Sequence, residues 1–455
     1  MASLLPDSLT SPEDHAFRLI NSILARNAHI AVIGLGYVGL PLAQAFWQAE
    51  FAVTGFDTDP AKLKKLNAGE SYLTNISDSV VRQMVESGRF HGVDDPTQLG
   101  RADVILICVP TPLTRDRKPD LSFVEGSARQ VASRLRPGQL VVLESTTYPG
   151  TTNKVVRTIL EQSGLKSGED FFLAYSPERE DPGNEEYSTA RIPKIVGGEG
   201  DKALGIAELL YGAAIDVVVP VSSTRTAEAV KLTENIFRAV NIALVNELKQ
   251  IYAKMEIDIW EVIAAAKTKP FGFMPFYPGP GLGGHCIPID PFYLSWCAES
   301  LGLPARFIEL AGEINTNMPR EVVRHLLDGI AARGDTAPED AAVLVLGVAY
   351  KKNVGDTRES PGLKIIEILE MRGVTVDYYD SWVPEIPKTR DHPALAGKRS
   401  IELTAAAVKA YDAVLICTDH DDLDYARIGR HARLVVDTRN AMARAGANLS
   451  NVIKA

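Results

Sequence analysis

A chain of 455 residues is too long for one hydrophobic core and predicts two or three domains. Its composition, 45% hydrophobic and 23% charged, is that of an ordinary globular protein, and a formal charge of −10 speaks against a general binder of nucleic acid or anionic membrane. Cys108, Cys286, Cys297 and Cys417 form no CxxC pair, which fits reduced thiols in the cytoplasm.

The N-terminus lacks the basic-then-apolar pattern of a secretion signal, and no apolar run is long enough to span a bilayer. Ser11-Pro12-Glu13-Asp14 is a helix start leading into an amphipathic run that ends near Asn27. Residues 29–33 then predict a short apolar strand, followed at once by Gly34-Leu35-Gly36-Tyr37-Val38-Gly39. Residues 40–50 read as a helix and 51–56 as a second strand, with Asp57 at its tip. A GxGxxG alone is weak evidence. Set between a strand and a helix, with an acid ending the next strand, it becomes a dinucleotide fingerprint. The glycines let backbone meet a pyrophosphate at the helix N-terminus. Asp57 would take the adenosine ribose diol and repel a 2′-phosphate, which selects NAD over NADP.

Further strands are predicted at 103–109, 140–144, 171–175 and 215–219, alternating with helices as in a doubly wound parallel sheet. Ligands of such sheets bind beyond the carboxyl ends of the strands. The residues there are Pro110-Thr111-Pro112, Ser145-Thr146-Thr147 and Ser176-Pro177-Glu178-Arg179-Glu180.

From about Ser222 the spacing becomes helical: Val230, Phe237, Val240, Leu244, Leu248, Ile251 and Met255 recur over roughly thirty residues. Such a helix suits a link between domains or a dimer face, and its stripe could equally be intramolecular core. Lys231 and Asn235 stand four apart and share a face. A lysine on a long helix is ordinarily solvated, so periodicity does not single it out.

Gly279-Pro280-Gly281-Leu282-Gly283-Gly284-His285-Cys286 permits close backbone approach to a ligand. Asp290 as cap and Pro291 as first helical residue would open a helix over 292–301. Cys286 would then lie just ahead of a helix N-terminus, where a thiolate nucleophile is favoured. A small apolar filler in a Gly/Pro-rich loop is the equal alternative. Strands at 341–346, 374–379, 413–417 and 434–436 predict a second α/β unit. It lacks GxGxxG, so it would bind something other than a dinucleotide. Lys351, Lys352 and Arg358 precede the Ser360-Pro361 helix start and could meet a diphosphate. Asp419-His420-Asp421-Asp422 reads as a capped, exposed loop, and no metal site is expected.

The expected fold is thus α/β, with two Rossmann-like doubly wound domains joined by a long central helix and a helical middle domain. The expected division is an N-terminal helical extension (1–28), an NAD-binding domain (29–220), a central helical domain (221–333) and a second α/β domain (334–455).

Gly34 to Gly39, Val109-Pro110-Thr111-Pro112, Glu144-Ser145-Thr146, Ser176-Pro177-Glu178, Glu228 through Asn235, Gly283 to Asp290 and Gly355-Asp356-Thr357-Arg358-Glu359-Ser360 follow one another in the order of a known family. Over about residue 29 to the C-terminus, the chain resembles the UDP-glucose/GDP-mannose dehydrogenases. Within them, the run SPEREDPGN from Ser176 to Asn184 is most similar to UDP-N-acetylglucosamine 6-dehydrogenases. Pro182 stands where UDP-glucose enzymes usually carry a further glutamate, and UDP-N-acetylmannosamine enzymes are close relatives.

The resemblance implies a four-electron oxidation of the sugar C6 alcohol to a carboxylate with two NAD⁺, through a cysteine thiohemiacetal and thioester. Cys286 would be the nucleophile. Lys231 and Asn235 would stabilise charge on the C6 oxygen, Asp290 and Thr146 would position a water, and Glu178 would assist thioester hydrolysis, with His285 lining the pocket. Gly34, Gly36, Tyr37, Val38, Gly39, Asp57, Pro110, Thr111, Thr146 and Arg358 would hold NAD. Glu178, Arg179, Lys231, Asn235, Gly283 and Lys351 would hold the UDP-sugar, with the uridine diphosphate on the C-terminal half. A homodimer is expected, with no nucleic-acid or membrane partner and a role in surface polysaccharide synthesis. The competing readings are a two-electron hydroxyacid-type NAD dehydrogenase and a nucleotide-binding regulator without turnover.

Overall fold

The computed structural model describes residues 14–455 apart from 74, 115, 180–189 and 285–286. The chain forms two compact units, one ending at Glu234 and the other beginning at Asn235. Among the described residues, no helix is long and apolar enough to cross a membrane.

The first unit holds β1 (His29–Ile33), β2 (Ala52–Phe56), β3 (Phe90–Val93), β4 (Val104–Ile107), β5 (Leu140–Leu143), β6 (Phe172–Tyr175), β7 (Lys194–Gly198) and β8 (Val218–Val221). They lie side by side in the order β3-β2-β1-β4-β5-β6-β7-β8. The first six are parallel. β7 runs antiparallel to β6, and β8 follows β7 in parallel. In β4 all four residues, Val104-Ile105-Leu106-Ile107, are buried, as a strand covered on both faces requires. Val104 and Leu106 join one core while Ile105 and Ile107 join the other. The connection order reverses between β1 and β4, so a crevice opens at their carboxyl ends.

The helix His15–Leu24 closes one face. Asp14 caps it by accepting the Ala16 amide at 2.8 Å. Ala16, Leu19, Ile20 and Ile23 are buried, the helix packs on the helix Asp201–Gly212, and Lys202 pairs with Asp14 at 2.8 Å.

The helix Thr224–Lys254 begins in the first unit and ends in the second. Further along, the helices Asp290–Ser300 and Arg306–Arg333 lead to a wholly parallel sheet. Its strands are β9 (Ala342–Leu346), β10 (Thr375–Tyr379), β11 (Ala413–Ile416), β12 (Val435–Asp437) and β13 (Val452–Lys454), in the order β10-β9-β11-β12-β13. This is the other common doubly wound order, reversing between β9 and β11.

Several expectations shift. The sequence pattern misses β3, β7 and β13, and β8 starts at Val218, with Ile215 ahead of it buried in the core. Asp290 is the first helical residue, with Ile289 at the cap. The acidic run is not a simple exposed loop: His420 is fully buried, its Nε2 lies 3.1 Å from Asp380, and its Nδ1 accepts the Asn353 amide at 2.9 Å. Asp380 also accepts the Val348 and Ala349 amides, so this buried carboxylate is satisfied on every side. On the long helix, Leu232, Ala239, Ala243 and Val245 face the interior, whereas Phe237, Leu244, Ile251 and Met255 of the predicted stripe are exposed.

Candidate active site

At the carboxyl edge of the first sheet, the turn after β1 is shaped by its glycines. Gly34 has φ of 91°, and a Cβ there would stand 2.6 Å from the Cys108 carbonyl oxygen, so no other residue fits. Gly36 differs: a Cβ there would meet no protein atom within 4 Å. The protein does not need that position bare, whereas a ligand seated on the backbone does. Val38, at the N-cap of the helix Gly39–Gln48, offers no side-chain hydrogen bond to the helix start. A phosphate suits such an uncapped helix start.

Asp57, just past β2, is held in one orientation. It accepts the Leu35 amide at 3.0 Å and the Asp59 amide at 2.9 Å, and Lys62 lies 3.3 Å away. Next along the edge, Thr111 is buried and Pro110 exposed. Ser145 donates to the Val109 carbonyl at 2.7 Å, which ties the loop after β5, with half-buried Thr146, to the loop after β4. These residues fit a dinucleotide.

A charged cluster lies under the next loops. Glu144 is fully buried at the end of β5, and Lys194, at the start of β7, reaches it with Nζ at 2.6 Å. Tyr211 donates its hydroxyl to the same carboxylate. Lys194 Nζ also lies 3.7 Å from Glu178, and it donates to the Pro177 carbonyl at 3.3 Å. Burial raises the Glu144 carboxyl, against the pull of Lys194. Burial alone would lower Lys194, but the carboxylates of Glu144 and Glu178 outweigh it and raise the ammonium.

The long helix adds three groups. Glu228, fully buried, accepts the amides of Gly150 at 2.6 Å and Thr152 at 2.8 Å, so its first turns are locked to the start of the helical turn Thr151–Val156. One turn on, Lys231 is 7% exposed and donates to the Glu178 carbonyl. Arg179 is gripped by Glu234, the closer contact being 2.6 Å.

In the second unit, Asn235 donates to Asp290, which opens the helix Asp290–Ser300. Asn246 accepts the Gly279 amide at 3.0 Å and donates to Asn315 at 3.0 Å, fixing the entry to the glycine-rich loop. Gly283 has no room for a side chain, since a Cβ would lie 2.6 Å from that of Tyr350, next to Lys351. The Gly284 amide donates to the Arg358 carbonyl at 2.9 Å. The Arg358 guanidinium itself folds onto Asp356 at 2.6 Å, and Lys352 pairs with Asp421 at 3.0 Å. A cavity of about 400 Å³ lies beside this loop, with Leu282, Ile287, Pro288, Asn315, Ser360 and His392 in its wall. His285 and Cys286 lie outside the described residues, as does Glu180.

The sequence-derived residues thus gather into two groups, each within its own unit. Tyr37, Val38, Thr146, Glu178, Arg179 and Lys231 belong to the first, and Asn235, Gly283, Asp290, Lys351 and Arg358 to the second. Sequence reasoning missed Lys194 and Tyr211. Glu144 and Glu228 stood within its motifs but were given no role.

Three domains of one family match in order: the NAD binding domain of the UDP-glucose/GDP-mannose dehydrogenase family over residues 28–215, its central domain over 225–317 and its UDP binding domain over 344–444. The UDP-N-acetyl-D-mannosamine dehydrogenase of Pyrococcus horikoshii is 37% identical over 418 residues, covering 90% of this chain and 95% of that one. The UDP-N-acetyl-D-glucosamine 6-dehydrogenase of Pseudomonas aeruginosa is 36% identical over 360 residues, covering 79% and 84%. The solved UDP-D-ManNAc dehydrogenase structure from Pyrococcus horikoshii superposes with a TM-score of 0.82 at 34% identity, covering 91% and 96%. The order of strands, the glycine turn with its acid and the three matched domains agree, and the chain belongs to the UDP-glucose/GDP-mannose dehydrogenase family, as a nucleotide-sugar dehydrogenase with NAD as cofactor.

Proposed function

We propose that this chain oxidises the C6 alcohol of UDP-N-acetylglucosamine to the uronic acid, with Cys286 as nucleophile. The observation that carries the chemistry is the burial and hydrogen bonding of Lys231, Asn235 and Asp290, polar groups that a fold keeps dry only at a cost. The run SPEREDPGN from Ser176 to Asn184 supports the sugar. A second reading, UDP-N-acetylmannosamine, is favoured by the relative that is 37% identical.

Gly34, Gly36, Tyr37, Val38 and Gly39 hold the phosphates of NAD and Asp57 its ribose, with Pro110, Thr111, Thr146 and Arg358 completing the set. Bound NAD⁺ supplies a hydride acceptor, used twice. Glu178, Arg179, Lys231, Asn235, Gly283 and Lys351 hold the UDP-sugar. Lys231 and Asn235 donate to the C6 oxygen as negative charge develops on it. Asp290 and Thr146 position the water that carries protons away.

Loss of a hydride and the hydroxyl proton turns the alcohol into an aldehyde. The Cys286 sulfur adds to the carbonyl carbon and the oxygen takes a proton, giving a thiohemiacetal. A second hydride and that hydroxyl proton leave, giving a thioester. Glu178 takes a proton from water, the hydroxide adds to the carbonyl carbon, and the carbon–sulfur bond breaks with its electrons on sulfur. Net, one alcohol and one water become a carboxylate, two hydrides and three protons.

The exposed stripe of Phe237, Leu244 and Ile251 supports a homodimer as the working form.

The test is a panel of UDP-N-acetylglucosamine, UDP-N-acetylmannosamine, UDP-glucose and GDP-mannose, scored by NADH released per sugar. Two per UDP-N-acetylglucosamine is expected. One NADH with free aldehyde accumulating overturns the mechanism, and faster turnover of UDP-N-acetylmannosamine overturns the sugar assignment. Cys286→Ser is expected to end steady turnover while NAD still binds.

A further inference from the structure

We infer that Lys194 is a positioning residue for the hydrolysis step: its ammonium, anchored by Glu144 beside the Tyr211 ring, supplies the countercharge that keeps the Glu178 carboxylate aimed. The inference rests on the role given to Glu178 above.

The fold explains how a residue with no local signal reaches this place. In a parallel sheet only the carboxyl ends of strands face the ligand edge, and a residue that starts a strand lies at the opposite edge. β7 is reversed against β6, with Ala174 opposite Gly198 and Tyr175 opposite Gly197. Carrying that register to the start of β7 sets Lys194 across from Glu178. Ser176 bonds the Ile195 carbonyl at 2.8 Å along the same line.

Lys194 is 5% exposed, Glu144 0% and Glu178 12% by side chain. An ammonium this dry needs carboxylate partners, and it has two, at 2.6 Å and 3.7 Å. The shorter contact anchors it. The longer one is a charge contact rather than a hydrogen bond. Glu178 Oε1 accepts the Arg179 amide at 2.7 Å, while Oε2 is the oxygen turned toward Lys194. The carboxylate is therefore steered from both ends. Lys231 is engaged by the Glu178 carbonyl and Arg179 by Glu234, while Cys108, whose buried thiol is raised well above its usual range, stands by Glu144. Lys194 is thus a cation paired with the Glu178 carboxylate.

In the step concerned, Glu178 takes one proton from water, the hydroxide oxygen bonds the thioester carbon, and the carbon–sulfur pair returns to sulfur. Without the ammonium, the Glu144 and Glu178 carboxylates lose the positive charge that both contact, which disfavours their ionised forms.

The test uses the full-length enzyme with UDP-N-acetylglucosamine and NAD⁺ in rapid mixing. Lys194→Met is expected to keep the burst of two NADH per active site. Its steady rate is expected to fall roughly 10- to 100-fold, and the acid limb of its kcat profile to move up by about one pH unit or more. Lys194→Arg is expected to restore most of both. Should Lys194→Met fail to fold, the pair Glu144→Gln/Lys194→Met removes the stranded buried acid and is read for the same rate loss, with its burst kept. A burst followed by a wild-type steady rate and pH profile overturns this inference and leaves the proposed function standing. Absence of any NADH from UDP-N-acetylglucosamine with the wild-type enzyme overturns the proposed function itself.

Discussion

Asn235 donates its side-chain amide to Asp290 over 2.5 Å, with exposures of only 4% and 1%. The bond joins the long helix to the first residue of the helix Asp290–Ser300. Asn235→Ala deprives a buried carboxylate of this donor and, under the proposed mechanism, removes a donor from the C6 oxygen. The expected outcome is a drop in kcat of roughly 100-fold, with stability lower by about 1–3 kcal/mol. Steady-state kinetics and urea unfolding check it, and wild-type values in both would count against the assignment.

Two glycines of the same turn separate ligand binding from folding. At Gly36 an added methyl meets no protein atom within 4 Å, whereas at Gly39 it would stand 1.8 Å from the Gly34 carbonyl oxygen. Gly36→Ala is expected to melt within about 0.5 kcal/mol of wild type and to bind NAD about tenfold or more weakly. Gly39→Ala is expected to lose about 1–3 kcal/mol or more of stability. Thermal melts with NAD titration decide it; equal NAD affinity in Gly36→Ala would mean that no ligand backs that turn.

Lys249 is a buried cation with a cost. It is 6% exposed, its Nζ makes no hydrogen bond among the described residues, and burial, with help from Arg439, pushes the ammonium down to about 8. A free lysine titrates near 10.5, so between the two values the unfolded chain binds more protons and stability rises with pH. The stabilising part is present above 10.5 and lost as pH falls through 8. Lys249→Met is therefore expected to be more stable than wild type at pH 7 by up to about 3 kcal/mol, an advantage that closes as pH rises toward the lysine value. Denaturant midpoints of the two proteins, compared at pH 7 and pH 10, check both sign and trend.

Phe237, Leu244 and Ile251 recur every seven residues and are about half exposed, at 47%, 49% and 48%. Leu244→Glu places a charge in that stripe. If a second copy covers it, sedimentation is expected to show the mass halved at micromolar protein. An unchanged mass in a wild-type dimer would put the interface elsewhere.

The parts of this fold legible beforehand were those written locally. The run Val104-Ile105-Leu106-Ile107 is apolar because both sheet faces are covered, and Asp57 announces itself by ending a strand after a glycine turn. β7 was not legible, since Lys194-Ile195-Val196-Gly197-Gly198 is short, carries two glycines and alternates with nothing. Its ion pair with Glu144 spans 50 residues and depends on a strand reversal that no local pattern encodes. Lys231 could be singled out only through the motif around it. Its side chain is held under the Glu178 carbonyl, while of the apolar stripe that periodicity did detect, Phe237, Leu244, Ile251 and Met255 are exposed. His420 misled for the converse reason: an acidic run looks solvated until a distant carboxylate, Asp380, claims its imidazole.

The helix His15–Leu24 carries a practical lesson for anyone trimming this protein. A version begun at Ala28, where the family match starts, would strip Ala16, Leu19, Ile20 and Ile23 from the helix Asp201–Gly212 and leave an oily groove on the nucleotide-binding lobe. Low yield or clumping of such a shortened enzyme would then report a missing wall, not a fault in its chemistry.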